Sequence, residues 1–510
     1  MYMETDSTLA IPTQSAGDTT LAVWTSTQDA CGSKRALCSL LNMDEAKVSV
    51  SNTQTGGGYG GKHWKDYPTA GASAVAAMVT GRPVCTQLDR HHDLLTLGGR
   101  PPASAQWTIG FDPKTAIVSS FQLTSTVNAG GGGGRAPGCT CIGAYTRIDA
   151  KLNSRDISTD TPPNGIMRAP VSTAVGLGCF AASLTVDRCC QQGDFQGMIL
   201  TESAVEAAAT TGNFVPTTLQ EANLGPEVMP VWRELDTKMG GQAARQAAVA
   251  KFNTENRWRK RGLWSFPVKY LRGNHEREMV QISISSSSGR ITVSASGIEM
   301  GQGLNTKVAQ AVAMAFSQAF SPAVKVTIDM VENTDIKSTN DYTTTSGVKI
   351  SGTPNASGTS GSGTSEACVD ATFKACAVMV ARLKKYALPG LSWEAVVRAA
   401  SAGGVDLATA VEGKHLSGGE YYIYAAGATE VELDVLTVSA ATVGLGCDSC
   451  RDLTVDRCCQ GEYQILRADL VYDSGVALNP ALDIGQLEGV SSPAALSARR
   501  FALSQLSQLF

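Results

Sequence analysis

Apolar and polar residues alternate over residues 47–53 (KVSVSNT), which puts Val48 and Val50 on one face, the period of a half-buried strand. A glycine-rich stretch, GGGYGGK at 56–62, follows. After it, Asp66 and Pro68 mark the start of a small-residue helix with the body AGASAVAAMV. The same order recurs at 291–297 (ITVSASG), where Ile291, Val293 and Ala295 share a face. EMGQGLNTK then leads into a helix carrying Val308, Val312, Phe316 and Phe320 at a spacing of four, with Ala309 and Ala313 beside them. Both units read as strand, glycine turn, helix, an arrangement that turns unpaired helix N–H groups toward an anion. Residues 430–437 (EVELDVLT) and 464–475 (QILRADLVYDSG) read as the two strands of a hairpin. Gln242–Arg261 is helix-favouring and charged, and Lys251, Arg257, Lys260 and Arg261 are expected on a solvated face. Gly130–Gly134 reads as a flexible loop, and Ser351–Ser365 as a low-complexity connection.

Composition narrows the class. A chain of 510 residues suggests two to four domains, and 43% hydrophobic with 17% charged residues supports a real core. No apolar run reaches the roughly 18–20 residues that span a bilayer. The formal charge of −4, with no basic block, argues against a nucleic-acid or membrane-surface partner. The opening MYMETDSTLAIP has the features of no signal peptide, so a cytoplasmic protein is expected.

Of 14 cysteines, seven fall in two stretches, 171–192 and 438–460, which contain near-copies: VGLGCFAASLTVDRCCQ at 175–191 and VGLGCDSCRDLTVDRCCQ at 443–460. Solenoids need three or more adjacent units, so two distant copies are not a repeat fold. Zinc is disfavoured, because Cys447-x-x-Cys450 has no counterpart in the first copy. Both stretches begin Val-Ser and end in Gln, as a translated intron starting GTGAGT or GTAAGT and ending CAG would. Val490-Ser491 opens a tail of different composition in the same way. Retained introns are the reading adopted; a pair of lineage-specific insertions is the alternative.

The first glycine loop matches a dinucleotide fingerprint (Gly56-x-Gly58-x-x-Gly61) and nearly a P-loop (Gly56 to Lys62), yet His63 stands where a P-loop needs Ser or Thr. A glycine turn that packs a helix closely on a sheet explains the same residues. The five histidines, His63, His91, His92, His275 and His415, form no metal-ligand set and read as surface or turn residues.

Taken in order, YMETDSTLAIP, TSTQ, GGGYGGK, TGRPVCTQLDRHHDLLTLGGR, NGIMRAP, GDFQGMILTE, KFNTENRWRKRGL, GIEMGQGLNTKVAQ, YAAGATEVELD and NPALDIGQLEG resemble the molybdenum-binding portion of the xanthine dehydrogenase/aldehyde oxidase family. Deleting the two cysteine-rich stretches restores continuous family pattern on both sides. The resemblance implies an α+β (mixed α/β) fold in two parts, incomplete at both ends. A first molybdopterin-binding domain spans 1–240 and a second spans 241–489, with 490–510 outside the family pattern. It also implies a molybdopterin cofactor and an oxidoreductase that hydroxylates aldehydes or N-heterocycles with water as the oxygen source. The 2Fe-2S and FAD groups would lie in domains outside this sequence, and the complete protein would be a homodimer. A non-catalytic binding protein on the same scaffold is the alternative.

Residue by residue, Gln28 matches the glutamine that hydrogen-bonds a molybdenum oxygen ligand. Gly57, Gly58 and Tyr59 match the glycine loop near the metal, and Gly301 and Gln302 match a second cofactor loop whose helix start would face an anion. Arg168 matches an arginine beside the cofactor, and Ala426 and Gly427 a small pair flanking the metal. His63 stands where purine-oxidising members carry a substrate-binding glutamate, and Pro170 replaces a stacking phenylalanine. Purines are therefore disfavoured as substrates. The Gly-Glu segment that provides the family's catalytic base is not in this sequence, so no catalytic residue is assigned and the chain is expected to be inactive as it stands.

Overall fold

Val48 and Val50 are both buried, as their alternation requires, in β3 (Val48–Ser51), which runs parallel to β2 (Asp18–Thr25). β2 pairs antiparallel with β1 (Ser7–Ser15), and β1 with β4 (Val84–Gln87), in the order β3-β2-β1-β4. Helix α1 (Ala30–Leu41) makes the crossover from β2 to β3, and α2 (Tyr67–Thr80) packs against β1. Their shared core contains Leu21, Val23, Leu37, Val48, Val50, Ala70, Ala74 and Ala77. Pro68 lies in the first turn of α2, where its missing N–H does no harm. Asp66 stands at the N-cap position, as its place in the sequence indicates, but its side chain does not cap the helix. Asp66 instead accepts hydrogen bonds from Thr27 Oγ1 (2.9 Å) and Ser33 Oγ (2.5 Å), tying the start of α2 to that of α1.

The computed structural model describes residues 2–15, 17–52, 54–99, 101–131, 142–165, 190–272, 277–320, 328–330, 342–343, 349–350, 358–359, 363–414, 421–434, 463–473 and 475–487. Arg168 and Pro170, nearly all of 171–192, all of 438–460 and the tail from 490 lie outside these residues.

After α3 (Arg90–Leu97), β5 (Ala103–Phe111), β6 (Val118–Gly130) and β7 (Ala150–Ser158) form a second sheet. Four helices follow: α4 (Cys190–Thr211), α5 (Pro216–Asn223), α6 (Met229–Met239) and α7 (Gln242–Glu255). Helix α4 therefore begins inside the segment read as an insert, at its last three residues.

The strand β8 (Arg259–Arg272) corrects the expectation of a charged helix through Arg261. It pairs with β15 (Tyr421–Asp434), whose register sets Glu432 opposite Arg261. Arg259 and Arg261 both reach Glu432, Arg245 reaches Glu430, and Arg261 lies 3.6 Å from Glu430. Cross-strand pairing with two buried carboxylates holds Arg261, while Arg259 stays more than half exposed and Arg245 reaches across from α7. On its other edge β15 pairs antiparallel with β16 (Tyr463–Asp473), the hairpin partner expected from the pattern, with Leu433 opposite Tyr463. The largest core joins Phe121 and Leu123 of β6 and Trp232 and Leu235 of α6 to Ala426, Ala428 and Val471, so it draws on both halves of the chain.

The remaining sheet, β11-β10-β9-β14, comprises β9 (Arg277–Ile284), β10 (Ile291–Ala295), β11 (Ile328–Met330) and β14 (Ala408–Lys414). Helices α8 (Leu304–Phe320) and α9 (Gly363–Leu383) share its core, and α10 (Trp393–Ala402) closes it. Val308, Val312 and Phe316 are buried as their spacing predicts. A short pair, β12 (Tyr342–Thr343) and β13 (Lys349–Ile350), stands apart. Residues 363–365, read from composition as part of a connection, form the first turn of α9.

Candidate functional site

Gln28 follows β2 in the turn before α1, and no part of it is exposed. Its backbone N–H donates to the Lys62 carbonyl (2.8 Å), and its own carbonyl accepts the Thr359 N–H (2.7 Å). The side-chain Oε1 accepts the N–H groups of Gly60 (2.9 Å) and Lys62 (3.3 Å), and Nε2 donates to the Thr359 carbonyl (3.0 Å). One Nε2 hydrogen is left over by these contacts. Further bonds close the assembly: the Ile298 N–H donates to Thr359 Oγ1 (2.7 Å), and the Thr55 N–H to the Glu299 carbonyl (3.0 Å). The first glycine loop and residue 359 thus bond one glutamine directly, and the loop after β10 joins them through Thr359 and Thr55.

Glycine is required where this convergence is tightest. A Cβ on Gly58 would lie 2.5 Å from Gln28 Oε1 and 2.7 Å from Met300 Sδ. The turn itself passes through left-handed backbone at Gly57 (φ +83°), Tyr59 (φ +52°) and Gly60 (φ +76°), and Tyr59 bears that conformation without being glycine.

The second loop does not leave its helix start open to an anion, as had been expected. The Glu299 carboxylate occupies that position, accepting the N–H groups of Gly301 (2.7 Å), Gly303 (3.0 Å) and Asn305 (3.0 Å). A carboxylate there is favoured by the helix dipole and by donors that have no intrahelical partner. Gln302 is engaged locally, donating to the Ile298 carbonyl (2.8 Å) and accepting the Met300 N–H (2.6 Å). Among the described residues, no atom comes within 4 Å of the place a Cβ on Gly301 (φ +93°) would take.

Between the first loop and α2, Lys62, His63, Lys65 and Asp66 are buried and Trp64 is half-buried. His63 is not a surface residue: its ring packs edge-on to Trp64 (4.5 Å between centroids), and a Cβ on Gly358 would overlap its Nε2. Burial drives the imidazole pKa down, with Asp29 opposing, so the ring is neutral near pH 7. Lys62 is fully buried, with its Nζ 4.8 Å from the Tyr2 ring centre; burial lowers its pKa, opposed by the charges of Asp6, Glu4 and Asp93. Lys65 is 5% exposed, and burial alone brings its pKa down to about 8.

Ala426 and Gly427 are placed elsewhere. They sit mid-strand in β15 between Pro267 and Phe266 on one side and Val471 and Leu470 on the other, and Ala426 belongs to the large core. The small residues there serve strand packing, and the contacts described do not bring them to Gln28. Thr359 escaped the sequence reading because it lies within the low-complexity stretch, where composition hides a single structural residue. Among the described residues, no group of three His, Cys, Asp or Glu side chains could hold a metal ion, and no helix is long and apolar enough to cross a membrane.

Comparison with known proteins adds the family. Models of the molybdopterin cofactor-binding domain match residues 1–192 and 237–491. The indole-3-acetaldehyde oxidase of Arabidopsis thaliana is 29% identical over 519 residues, covering 96% of this chain and 33% of that protein. The chain spans about a third of the length of the curated relatives it matches. Among solved structures, quinoline 2-oxidoreductase from Pseudomonas putida 86 superposes with a TM-score of 0.69 at 17% identity, covering 96% of this chain and 61% of that one. The aldehyde oxidoreductase from Desulfovibrio gigas gives 0.67 at 16%, covering 96% and 49%. At such identities the likeness concerns the fold.

Proposed function

From a chain that belongs to the molybdopterin cofactor-binding domain family, we propose the molybdenum-cofactor-binding part of an oxidoreductase that hydroxylates aldehydes or N-heterocycles with water as the oxygen source. The observation that carries this reading is the assembly at Gln28, which the first glycine loop bonds through Gly60 and Lys62 and which the loop after β10 reaches through Thr359. When bound, the cofactor supplies the oxygen-transfer and redox chemistry, and the protein supplies position and electrostatics.

The residues fit such a group in two respects. Among the described residues no atom stands near the place of a Cβ on Gly301, where a flat ring system can lie, and Gln28 has one amide hydrogen left to donate to an oxygen. Gln28 would orient that oxygen without altering the net charge, because an amide carries none. Its acceptor is held by the first loop, so the direction of its remaining donor is set by the fold. Gly57, Gly58 and Tyr59 would form the wall nearest the metal, and Gly301 with Gln302 the opposite wall. Since Glu299 fills the helix start, an anionic part of the cofactor would be held elsewhere. His63, neutral and buried, would line the substrate side, with Arg168 and Pro170 contributed by the segment that follows Gly165. The 2Fe-2S and FAD groups and a homodimer interface belong to the longer protein.

The test is a chimera. This sequence, without 171–192 and 438–460, replaces the matching third of a plant aldehyde oxidase. Copurifying molybdenum and pterin, with aldehyde-dependent reduction of a dye, supports the reading. A folded chimera that carries neither overturns it.

A further inference from the structure

Among the described residues, thirteen buried side-chain nitrogen or oxygen atoms have no hydrogen-bond partner, and four of them fall within residues 62–65: Lys62 Nζ, His63 Nδ1 and Nε2, and Lys65 Nζ. Buried polar atoms are normally satisfied, so such a concentration calls for a ligand. Lys62 is accounted for by the charges of Asp6, Glu4 and Asp93 and by the Tyr2 ring. Lys65 has no such compensation. Among the described residues no charge opposes the desolvation of its ammonium, and Lys65 is only 5% exposed. Its end lies beside Gly165, where a Cβ would stand 3.4 Å from Lys65 Cε, 3.5 Å from Trp64 Cζ2 and 3.9 Å from Lys65 Nζ. Glycine at 165 leaves the space next to the ammonium without a side chain of its own.

We propose that Lys65 is the cationic group of an oxyanion-binding site between the segment after the first glycine loop and Gly165. An ammonium withdrawn from water is retained in its charged form when an acceptor-rich anion supplies the missing hydrogen bonds. A carboxylate or a phosphate monoester has that chemistry. The helix start at Leu304 is closed to an external anion by Glu299, and of the two buried ammonium groups without an acceptor among the described residues, Lys65 is the one with no carboxylate charge offsetting its burial. The inference does not depend on which cofactor the glycine loops hold.

Isothermal titration of the purified 510-residue chain with inorganic phosphate and, separately, with benzoate provides the test. Binding of either is expected, weakened roughly tenfold or more by Lys65→Met and retained within about threefold by Lys65→Arg, which keeps the charge. Phosphate alone identifies the site as one for a phosphate monoester, and benzoate alone as one for a carboxylate; both outcomes uphold it. Absence of binding by both anions, or equal affinity in Lys65→Met, overturns it. Circular dichroism melts of both variants verify that they are folded, and a pair that fails to fold is replaced by Gly165→Ala, which should weaken binding by narrowing the same space.

Discussion

Gln28 and Thr359, 331 residues apart, are joined by two reciprocal hydrogen bonds: Thr359 donates its N–H to the Gln28 carbonyl, and Gln28 Nε2 donates to the carbonyl of Thr359. The second half of the chain is thereby anchored to the first at the residue around which the first glycine loop closes. Replacing Gln28 by Ala would strand the Gly60 N–H and the Thr359 carbonyl in a buried setting, at about 1–3 kcal/mol for each unpaired group. A lower urea midpoint is expected. Gln28→Glu should also destabilise, because a carboxylate would face the Thr359 carbonyl. An unchanged midpoint in both variants would show that the contact contributes nothing.

Glu299 holds three N–H groups of the second loop, and Glu299→Ala should free all three. The expected loss is roughly 1–2 kcal/mol, the scale of a lost helix cap. Hydrogen exchange at Gly301, Gly303 and Asn305 should accelerate, whereas Glu299→Gln, which keeps one oxygen, should fall between. Mass-spectrometric exchange on the peptide covering this loop reads the effect directly.

Glu202 lies buried in α4 and accepts from Tyr145 Oη (2.7 Å), Gln220 Nε2 (3.2 Å) and Trp264 Nε1 (3.2 Å). Burial outweighs these bonds and pushes its carboxyl up to about 8. The folded state therefore holds a proton that the unfolded chain releases near its ordinary value of 4.5. Stability contributed by this proton is full below about pH 4.5 and is lost as pH rises toward 8, by on the order of 3–5 kcal/mol at the limit. Glu202→Gln should flatten this dependence, raising the urea midpoint at pH 8 and leaving it nearly unchanged at pH 5. A variant with the same pH profile as the parent chain would refute the assignment.

Residues 171–192 and 438–460 should be dispensable. Asp434 and Tyr463 end and begin two adjacent strands whose last pair is Leu433 and Tyr463, so a short turn can replace what lies between them. Removing both segments also removes seven cysteines. Higher soluble yield and an equal or higher melting temperature are expected; a drop in both would mark the segments as structural.

Substrate choice in the chimera follows from His63. A neutral buried imidazole offers one donor and one acceptor, unlike a glutamate paired with a purine, and Pro170 gives no flat face for stacking. Catalytic efficiency on xanthine should fall roughly two orders of magnitude below that on an aromatic aldehyde. His63→Glu should narrow the gap. Steady-state kinetics on both substrates decides it, and a higher efficiency on xanthine before that substitution would be the contrary result.

The two strand–glycine–helix units, the β15–β16 pairing and the buried faces of α2 and α8 were legible in the amino-acid order, because side-chain period and turn chemistry act between near neighbours. Gln28 and Gly58, singled out through family motifs, do meet in the structure. Tertiary structure decided the rest. Glu299 fills its own helix start because the loop turns the carboxylate back onto three N–H groups, a geometry that composition does not express. His63 and Lys65 look like surface residues in a polar stretch, but the packing of Gly358 and Gly165 buries them. Arg261 looks solvated until β8 is set beside β15, where the register places the buried carboxylate of Glu432 opposite it. Thr359, in a run of Gly, Ser and Thr, acquires its importance from a partner 331 residues away, and no local signal can carry a contact of that range.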